Sequence, residues 1–330
     1  MPQPTLDVVG IGNAIVDIIA SADDAFLETH AMSKGGMMLV DQQRAEAIYA
    51  RMGPTMISSG GSAGNTIAGI ASLGGRTGYI GKVRDDEFGN AFRHDITAAG
   101  TIFRTPAATE GPATAQCLIL VTPDSQRTMN TYLGACVNIG SDDIDEDLIR
   151  SAQYTYLEGY LYDDPAAKRA FHAAAEVAHS AKRCVALSLS DAFCVERHRS
   201  DFLALVEHHV DVLFGNRGEI EALFECGWDE AIAHLRPLTD LAAITRGPGG
   251  SVVITKNDVI EVAAEPVDRV VDTTGAGDLY AAGFLFGLTR GVPLRECGRL
   301  GSIAAAEIIG HFGARPQTPL HTLVPAATLS

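Results

Sequence analysis

The sequence predicts an α/β fold built on a doubly wound parallel sheet, and three observations carry that prediction. Short β-branched apolar runs at Tyr154–Leu157, Arg183–Leu187 and Asp211–Phe214 alternate with helical stretches at Pro165–Ser180 and Asp201–Val210, the rhythm of strands crossed over by helices. A similar apolar run, Asp7–Gly12, opens the chain and ends in glycine, as a buried first strand does. The length of 330 residues, 46% hydrophobic and 20% charged, is enough to bury one large core and argues against disorder.

Charge and cysteine usage narrow the function classes. With 41 acidic against 25 basic residues the formal net charge is −16, the wrong sign for a general nucleic-acid or anionic-membrane binder. An anionic ligand must therefore be met by local N–H groups, isolated basic side chains or a metal. No Lys or Arg precedes Lys34, so a secretory leader is not expected, and the longest apolar run, Leu279–Leu288, is far too short to span a bilayer. The six cysteines are scattered with no C-x-x-C, which fits buried free thiols in a reducing, cytoplasmic setting.

In chain order, G-I-G-N-A-I after the first strand lacks the third glycine of a dinucleotide fingerprint, Ile15 standing in its place. Asn13 and Asp17 are polar side chains in an otherwise apolar run. They bond either the local turn or a ligand, because burying them unpaired is unfavourable. Met37–Val40 reads as a strand and Asp41–Met52 as an amphipathic helix. Ser58 to Asn65, with Gly60 and Gly61, reads as a glycine-rich loop entering a helix over Thr66–Leu73, and Gly78–Gly89 as strand, turn and acid-led helix. Gly81-Lys82 is not a P-loop, since Val83 stands where Ser or Thr is needed and Arg76 where the first glycine is needed.

Ala115–Val121 and Gln126–Leu133 flank a T-P-D-S turn and read as a β-hairpin with Arg127 beside it. An inserted hairpin of this kind is a candidate lid, with an edge open to pairing. Ser141 to Asp147 is rich in acids but lacks the glycine of a calcium loop and reads as a capped helix start. The ten histidines show no ligand spacing. Gly215-Asn216-Arg217-Gly218-Glu219 follows a strand and suits either a capping box or a site at the strand's carboxyl end. Thr245, Gly247 and Gly250 form a second strand end with a glycine loop.

Residues 271–290 are the most informative. Asp272, Thr273 and Thr274 are good N-cap types for the apolar helix that follows. Gly275, Ala276 and Gly277 leave its N-terminus bare, and a bare helix N-terminus is a ready anion site. Asp278 either complements the helix dipole or, beside an anion, takes the proton of a group attacking that anion. The latter is the layout of phosphoryl transfer to a hydroxyl. Leu300–Phe312, rich in alanine, should pack closely beside this helix.

D-T-T-G-A-G-D at 272–278 resembles the C-terminal signature of the ribokinase-like (PfkB) family of carbohydrate and nucleoside kinases, and the Gly60–Asn65 segment resembles its N-terminal signature. Five segments between residues 10 and 278 agree in the family's order, with departures at Ile67 and Arg217. The resemblance implies a ribokinase-like three-layer α/β/α sandwich over residues 1–330, with a small β-sheet lid drawn from roughly 14–40 and 101–136. It implies that Asn13, Asp17, Gly60, Gly61 and Asn65 hold substrate hydroxyls. Gly275, Ala276 and Gly277 would hold the γ-phosphoryl of ATP, Asp278 would act as base, and Arg127 would reach the phosphoryl. Asn216 and Glu219 would organise Mg²⁺ through water, with Asn216, Thr245, Gly247 and Gly250 at the nucleotide. Gly60-Gly61-Ser62, Arg127 and Glu158-Gly159-Tyr160 look like adenosine-kinase-like members, so adenosine is the expected acceptor. The alternative is a sugar such as ribose, fructose or 2-keto-3-deoxygluconate. A Rossmann oxidoreductase fails on the missing glycine, and a non-catalytic sugar sensor fails on the intact Asp278. A monomer or a homodimer is expected, with no nucleic acid or membrane partner.

Overall fold

The computed structural model describes residues 3–124, 126–324 and 326; Ser125, the last residue of the expected hairpin turn, lies outside them. Nine strands form the larger sheet in the order β14 (Val259–Val262), β13 (Ser251–Thr255), β12 (Leu241–Thr245), β11 (Val212–Asn216), β10 (Cys184–Ser188), β9 (Ala152–Glu158), β1 (Leu6–Ile11), β5 (Thr77–Ile80) and β6 (Ile102–Phe103). All neighbours from β12 to β6 run parallel, and only β13 and β14 are antiparallel.

Alternation along these buried strands divides the interior in two. Val8, Tyr156 and Ala186 face a core shared with the helices α3 (Ser62–Ser72), α4 (Glu87–Ala98), α10 (Ala276–Thr289) and α11 (Leu294–Ile309). Their neighbours Val9, Leu157 and Leu187 face a second core shared with α5 (Glu146–Ser151), α6 (Pro165–Ser180), α7 (Ala192–His209), α8 (Arg217–Phe224) and α9 (Trp228–Leu235). Helices thus cover both faces, the three-layer α/β/α arrangement that a largely parallel sheet requires. No described helix is long and apolar enough to cross a membrane.

β1 lies between β9 and β5, so the winding reverses direction at its carboxyl end. In an open sheet that reversal opens a crevice where ligands bind. Above it sits a five-stranded sheet in the order β3 (Met37–Leu39), β8 (Arg127–Tyr132), β7 (Ala115–Val121), β2 (Ile15–Ser21) and β4 (Met56–Ser59). It is backed by α1 (Asp24–Thr29) and α2 (Gln42–Tyr49), whose Leu27 and Ile48 are buried with Ile18.

Three expectations need correction. The hairpin β7–β8 presents no open edge: β2 pairs with one side and β3 with the other, leaving β3 and β4 outermost. The helix after the glycine pair begins at Ser62 rather than Thr66, because Gly61 (φ +84°) turns the chain in two residues and Asn65 N already bonds Gly61 O at 2.8 Å. α7 begins at Ala192, capped by Asp191, and passes a non-helical His198 (φ −124°), a break that hid its first half from a periodicity reading.

α10 and α11 pack backbone to backbone. A Cβ on Gly283 would lie 2.3 Å from the Leu300 carbonyl, and one on Gly301 would lie 2.7 Å from the Tyr280 carbonyl. Glycine is required at both contacts, and it sets the spacing of the two helices.

Candidate active site

Most of the expected residues converge on one cavity of about 730 Å³ at the strand ends, lined by Asn13, Asp17, Gly61, Asn65, Asn216, Glu219, Thr245, Gly275, Gly277 and Asp278 but not by Gly60 or Ala276. Gly247 and Gly250 do not line it. They shape the β12–β13 turn at φ +57° and +76°, and a Cβ on Gly250 would lie 2.1 Å from the Val262 carbonyl.

α10 begins without a side-chain cap. Gly275 (φ +78°) is its N-cap, so Asp272, Thr273 and Thr274 do not serve as expected. Asp272 instead folds back: its carboxylate accepts from Thr274 N at 3.0 Å and Gly313 N at 3.3 Å, and it pairs with Arg127 of β8. Ala276 N already donates to the Thr273 carbonyl at 3.2 Å, which leaves the N–H groups of Gly275 and Gly277 for an anion. Arg127 is buried in that ion pair and does not line the cavity.

Asp278, in the first turn, accepts from Ser62 Oγ at 2.6 Å and Asn65 Nδ2 at 3.0 Å. Burial pushes its carboxyl above the usual range, while Ser62, Asn65 and the Arg315 charge pull it back. The Ser62 and Asn65 donors fix the direction of its oxygens, as a proton acceptor needs.

At the other end, Gly60 leaves room for Asp17, since a Cβ there would lie 2.5 Å from the carboxylate. Gly61 lies against Asn13, where a Cβ would be 2.1 Å from the backbone carbonyl. Burial pushes the Asp17 carboxyl up to about 6. Asn13 Oδ1 and Asn65 Oδ1 are buried acceptors with no partner among the described residues. Orphaned buried acceptors are rare. Beside Asp17 they suit a ligand carrying several hydroxyl donors.

Sequence reasoning gave no site role to several residues that matter here. Glu158, the last residue of β9, accepts from Asn13 N at 3.3 Å, Asn13 Nδ2 at 2.8 Å and Ala63 N at 2.8 Å. Burial pushes its carboxyl up to about 7. Its position at a strand's carboxyl end was the available signal. Ser62 was visible in the glycine-rich segment, but its aim at Asp278 needs a contact across 216 residues. Arg315, alone after α11, carried no signal. Acceptor choice is expected from the lid side chains near Met37–Leu39 and Cys117–Ile119, and Met37, Leu39, Cys117 and Ile119 do line the apolar half of the cavity, joined by Met129 and Leu133, which carried no signal, with Tyr160 and Phe193 exposed at its mouth.

Asn216 caps α8 and forms a capping box with Glu219, donating from its N to Glu219 Oε2 at 2.9 Å and accepting from Glu219 N at 3.0 Å. Burial first, then the facing charges of Asp191 and Asp278, pushes Glu219 up to about 7. Thr245, at the end of β12, donates weakly to the Gly215 carbonyl at 3.5 Å.

Comparison with known proteins agrees with this arrangement. The model of the pfkB family carbohydrate kinases matches residues 37–321. The structure of an adenosine kinase from Sinorhizobium meliloti is 52% identical, covers 96% of this chain and 98% of its own, and superposes with a TM-score of 0.89. A probable sugar kinase from Rhizobium etli is 44% identical over 99% of this chain and 100% of its own, with a TM-score of 0.92. The adenosine kinase of Saccharomyces cerevisiae is 28% identical over 335 residues, 94% of this chain and 96% of that protein.

Proposed function

The chain belongs to the pfkB family of carbohydrate kinases, and from that premise we propose that it transfers the γ-phosphoryl group of ATP to the primary hydroxyl of a nucleoside, adenosine in the first place. The observation that carries the choice of acceptor is the apolar half of the cavity. Met37, Leu39, Cys117, Ile119, Met129 and Leu133, with Tyr160 and Phe193 at the mouth, offer a large unpolar surface beyond the hydroxyl-binding groups. A flat heteroaromatic base fills such a slot, whereas a sugar alone leaves it wet. The high identity to an adenosine kinase supports the same reading. The second reading, a sugar acceptor, is favoured by the equally close fold of a probable sugar kinase.

In the proposed mechanism Asn13, Asp17, Asn65 and the backbone at Gly60–Gly61 hold the acceptor's hydroxyls. The γ-phosphoryl rests at the head of α10 on the N–H groups of Gly275 and Gly277, with Ala276, whose own N–H turns back to the Thr273 carbonyl, between them. The Asp278 carboxylate takes the proton of the primary hydroxyl as that oxygen bonds to phosphorus, the bond to the β-phosphate oxygen breaks, and ADP leaves. Positioning and charge neutralisation are most of what such a transfer needs. Arg127, paired with Asp272 away from the cavity, reaches the phosphoryl group only by exchanging that carboxylate for it as the five-stranded sheet closes as a lid. Thr245 and the Gly247–Gly250 turn shape the nucleotide side.

Glu219 and Asn216 fit Mg²⁺ held through water. Their donor set is oxygen, and the buried Glu219 carboxyl faces the charges of Asp191 and Asp278, a repulsion that a divalent cation relieves. When bound, the ion neutralises charge on the polyphosphate. All six cysteines are free, in keeping with a reducing cytoplasm. A monomer or a homodimer is expected, and sedimentation distinguishes them.

The test is ADP release from MgATP with adenosine, inosine, guanosine, ribose, fructose and 2-keto-3-deoxygluconate as acceptors. Turnover of adenosine with silent sugars supports the nucleoside reading. A sugar turning over alone transfers the same mechanism to the second reading.

A further inference from the structure

The segment that follows α11 touches both ends of the cavity within three residues. Gly313 N bonds the Asp272 carboxylate at 3.3 Å. Ala314 packs so tightly on Gly275 that a Cβ there would approach it to 2.9 Å. Arg315 then turns inward: Nε donates to Ser59 O at 2.9 Å, Nη2 to Ser59 Oγ at 2.8 Å, and Nη1 to Gly64 O. Ser59 ends β4, and its N–H is taken by Asp95 at 2.7 Å. Gly64 lies in the first turn of α3, between the two residues that hold Asp278.

We infer that Arg315 is the positioning residue of the site: its fork clamps the two sides of the Gly60–Gly61 turn to each other, and its charge is the buried counter-charge of Asp17 and Asp278. Three hydrogen bonds from one planar guanidinium fix the turn against α3 in a way that an ammonium cannot. This rests on the kinase reading of the same cavity.

The charge matters because the surroundings are acidic. Arg315 faces Asp17, Asp95, Asp278 and the Tyr79 hydroxyl. Asp17 also faces Arg127 and Cys117, and Asp278 also faces Glu158, Glu219, Tyr156 and Tyr160. In both acids Arg315 favours the ionised form. Removing it raises both carboxyls, so the base is lost to protonation at a higher pH.

The experiment compares wild type, R315Q and R315K by the pH dependence of kcat/KM, acceptor KM, thermal unfolding and ¹³C NMR titration of the Asp17 carboxyl. For R315Q the acid limb and the Asp17 titration should both move up by about one pH unit or more, the size of a lost opposite charge at close range. R315K keeps the charge but not the fork, so its acid limb should stay near wild type while acceptor KM rises several-fold. A lowered melting temperature with unmoved acid limb, Asp17 titration and KM would overturn the inference. If R315Q does not fold, an unchanged acceptor KM in R315K overturns it instead. Should wild type phosphorylate nothing, the kinase reading fails, and the Asp17 titration still decides whether Arg315 sets that charge.

Discussion

The two ends of the cavity are made of different material. At the phosphoryl end the contacts come from backbone: the uncapped start of α10, the strand tips of β11 and β12, and glycines pressed against neighbouring chain. At the acceptor end they come from side chains on the five-stranded sheet, Met37, Leu39, Cys117, Ile119 and Met129. Backbone contacts admit few residue types, while an apolar wall is rebuilt by exchanging one hydrophobe for another of similar size. The chemistry should therefore be brittle and the choice of acceptor adjustable.

The largest effect should come from D278N, which keeps the size of the side chain and removes the proton acceptor. Turnover should fall about 10²- to 10⁴-fold, with acceptor binding retained by calorimetry. Normal turnover in D278N would remove the chemical half of the contrast. G275A tests the backbone argument: at φ +78° and with the new Cβ 2.9 Å from the Ala314 Cβ, the added methyl should destabilise the fold by about 1–3 kcal/mol and lower turnover. Urea unfolding with parallel kinetics would reveal it.

Glu158 supplies a pH test. Its carboxyl lies at about 7 against an ordinary 4.5, so the fold binds a proton there that the unfolded chain has released. Its stabilising contribution is full below about pH 4.5 and is lost as pH rises through about 7. E158Q removes that titration, so its stability relative to wild type should climb between about pH 5 and about pH 8 in urea melts. A constant difference would mean that Glu158 ionises normally. The smallest effect should be F193A, which removes one exposed ring at the mouth. Adenosine KM should rise several-fold with kcat near wild type; an equal rise for sugars would show that the ring does not sense the base.

The same contrast explains what the sequence made legible. The phosphoryl end is written in short contiguous stretches, because one helix start holds Gly275, Ala276, Gly277 and Asp278 together, and strand–helix alternation disclosed the large sheet. The acceptor end is assembled from residues brought together only by folding. Glu158 reaches Asn13 across 145 positions and Arg315 reaches Ser59 across 256, and no local pattern records such meetings. Asp272 shows the converse: its residue type suits a cap, but the left-handed Gly275 took that position and left the carboxylate to Arg127. The small sheet was partly visible: its hairpin was clear from alternation and Met37–Val40 read as a strand, while β4 (Met56–Ser59) and the pairing order depend on long-range contacts.

The glycine contacts between α10 and α11 carry a consequence for time as well as shape. Where carbonyls meet Cα atoms across an interface, neither helix can slip without opening the whole core around it. Backbone amides in that pair should thus exchange with deuterated water only through global unfolding, while those of β3 and β4, outermost in their sheet, exchange through local opening. The molecule would keep two clocks, a slow one under the phosphate and a fast one over the acceptor.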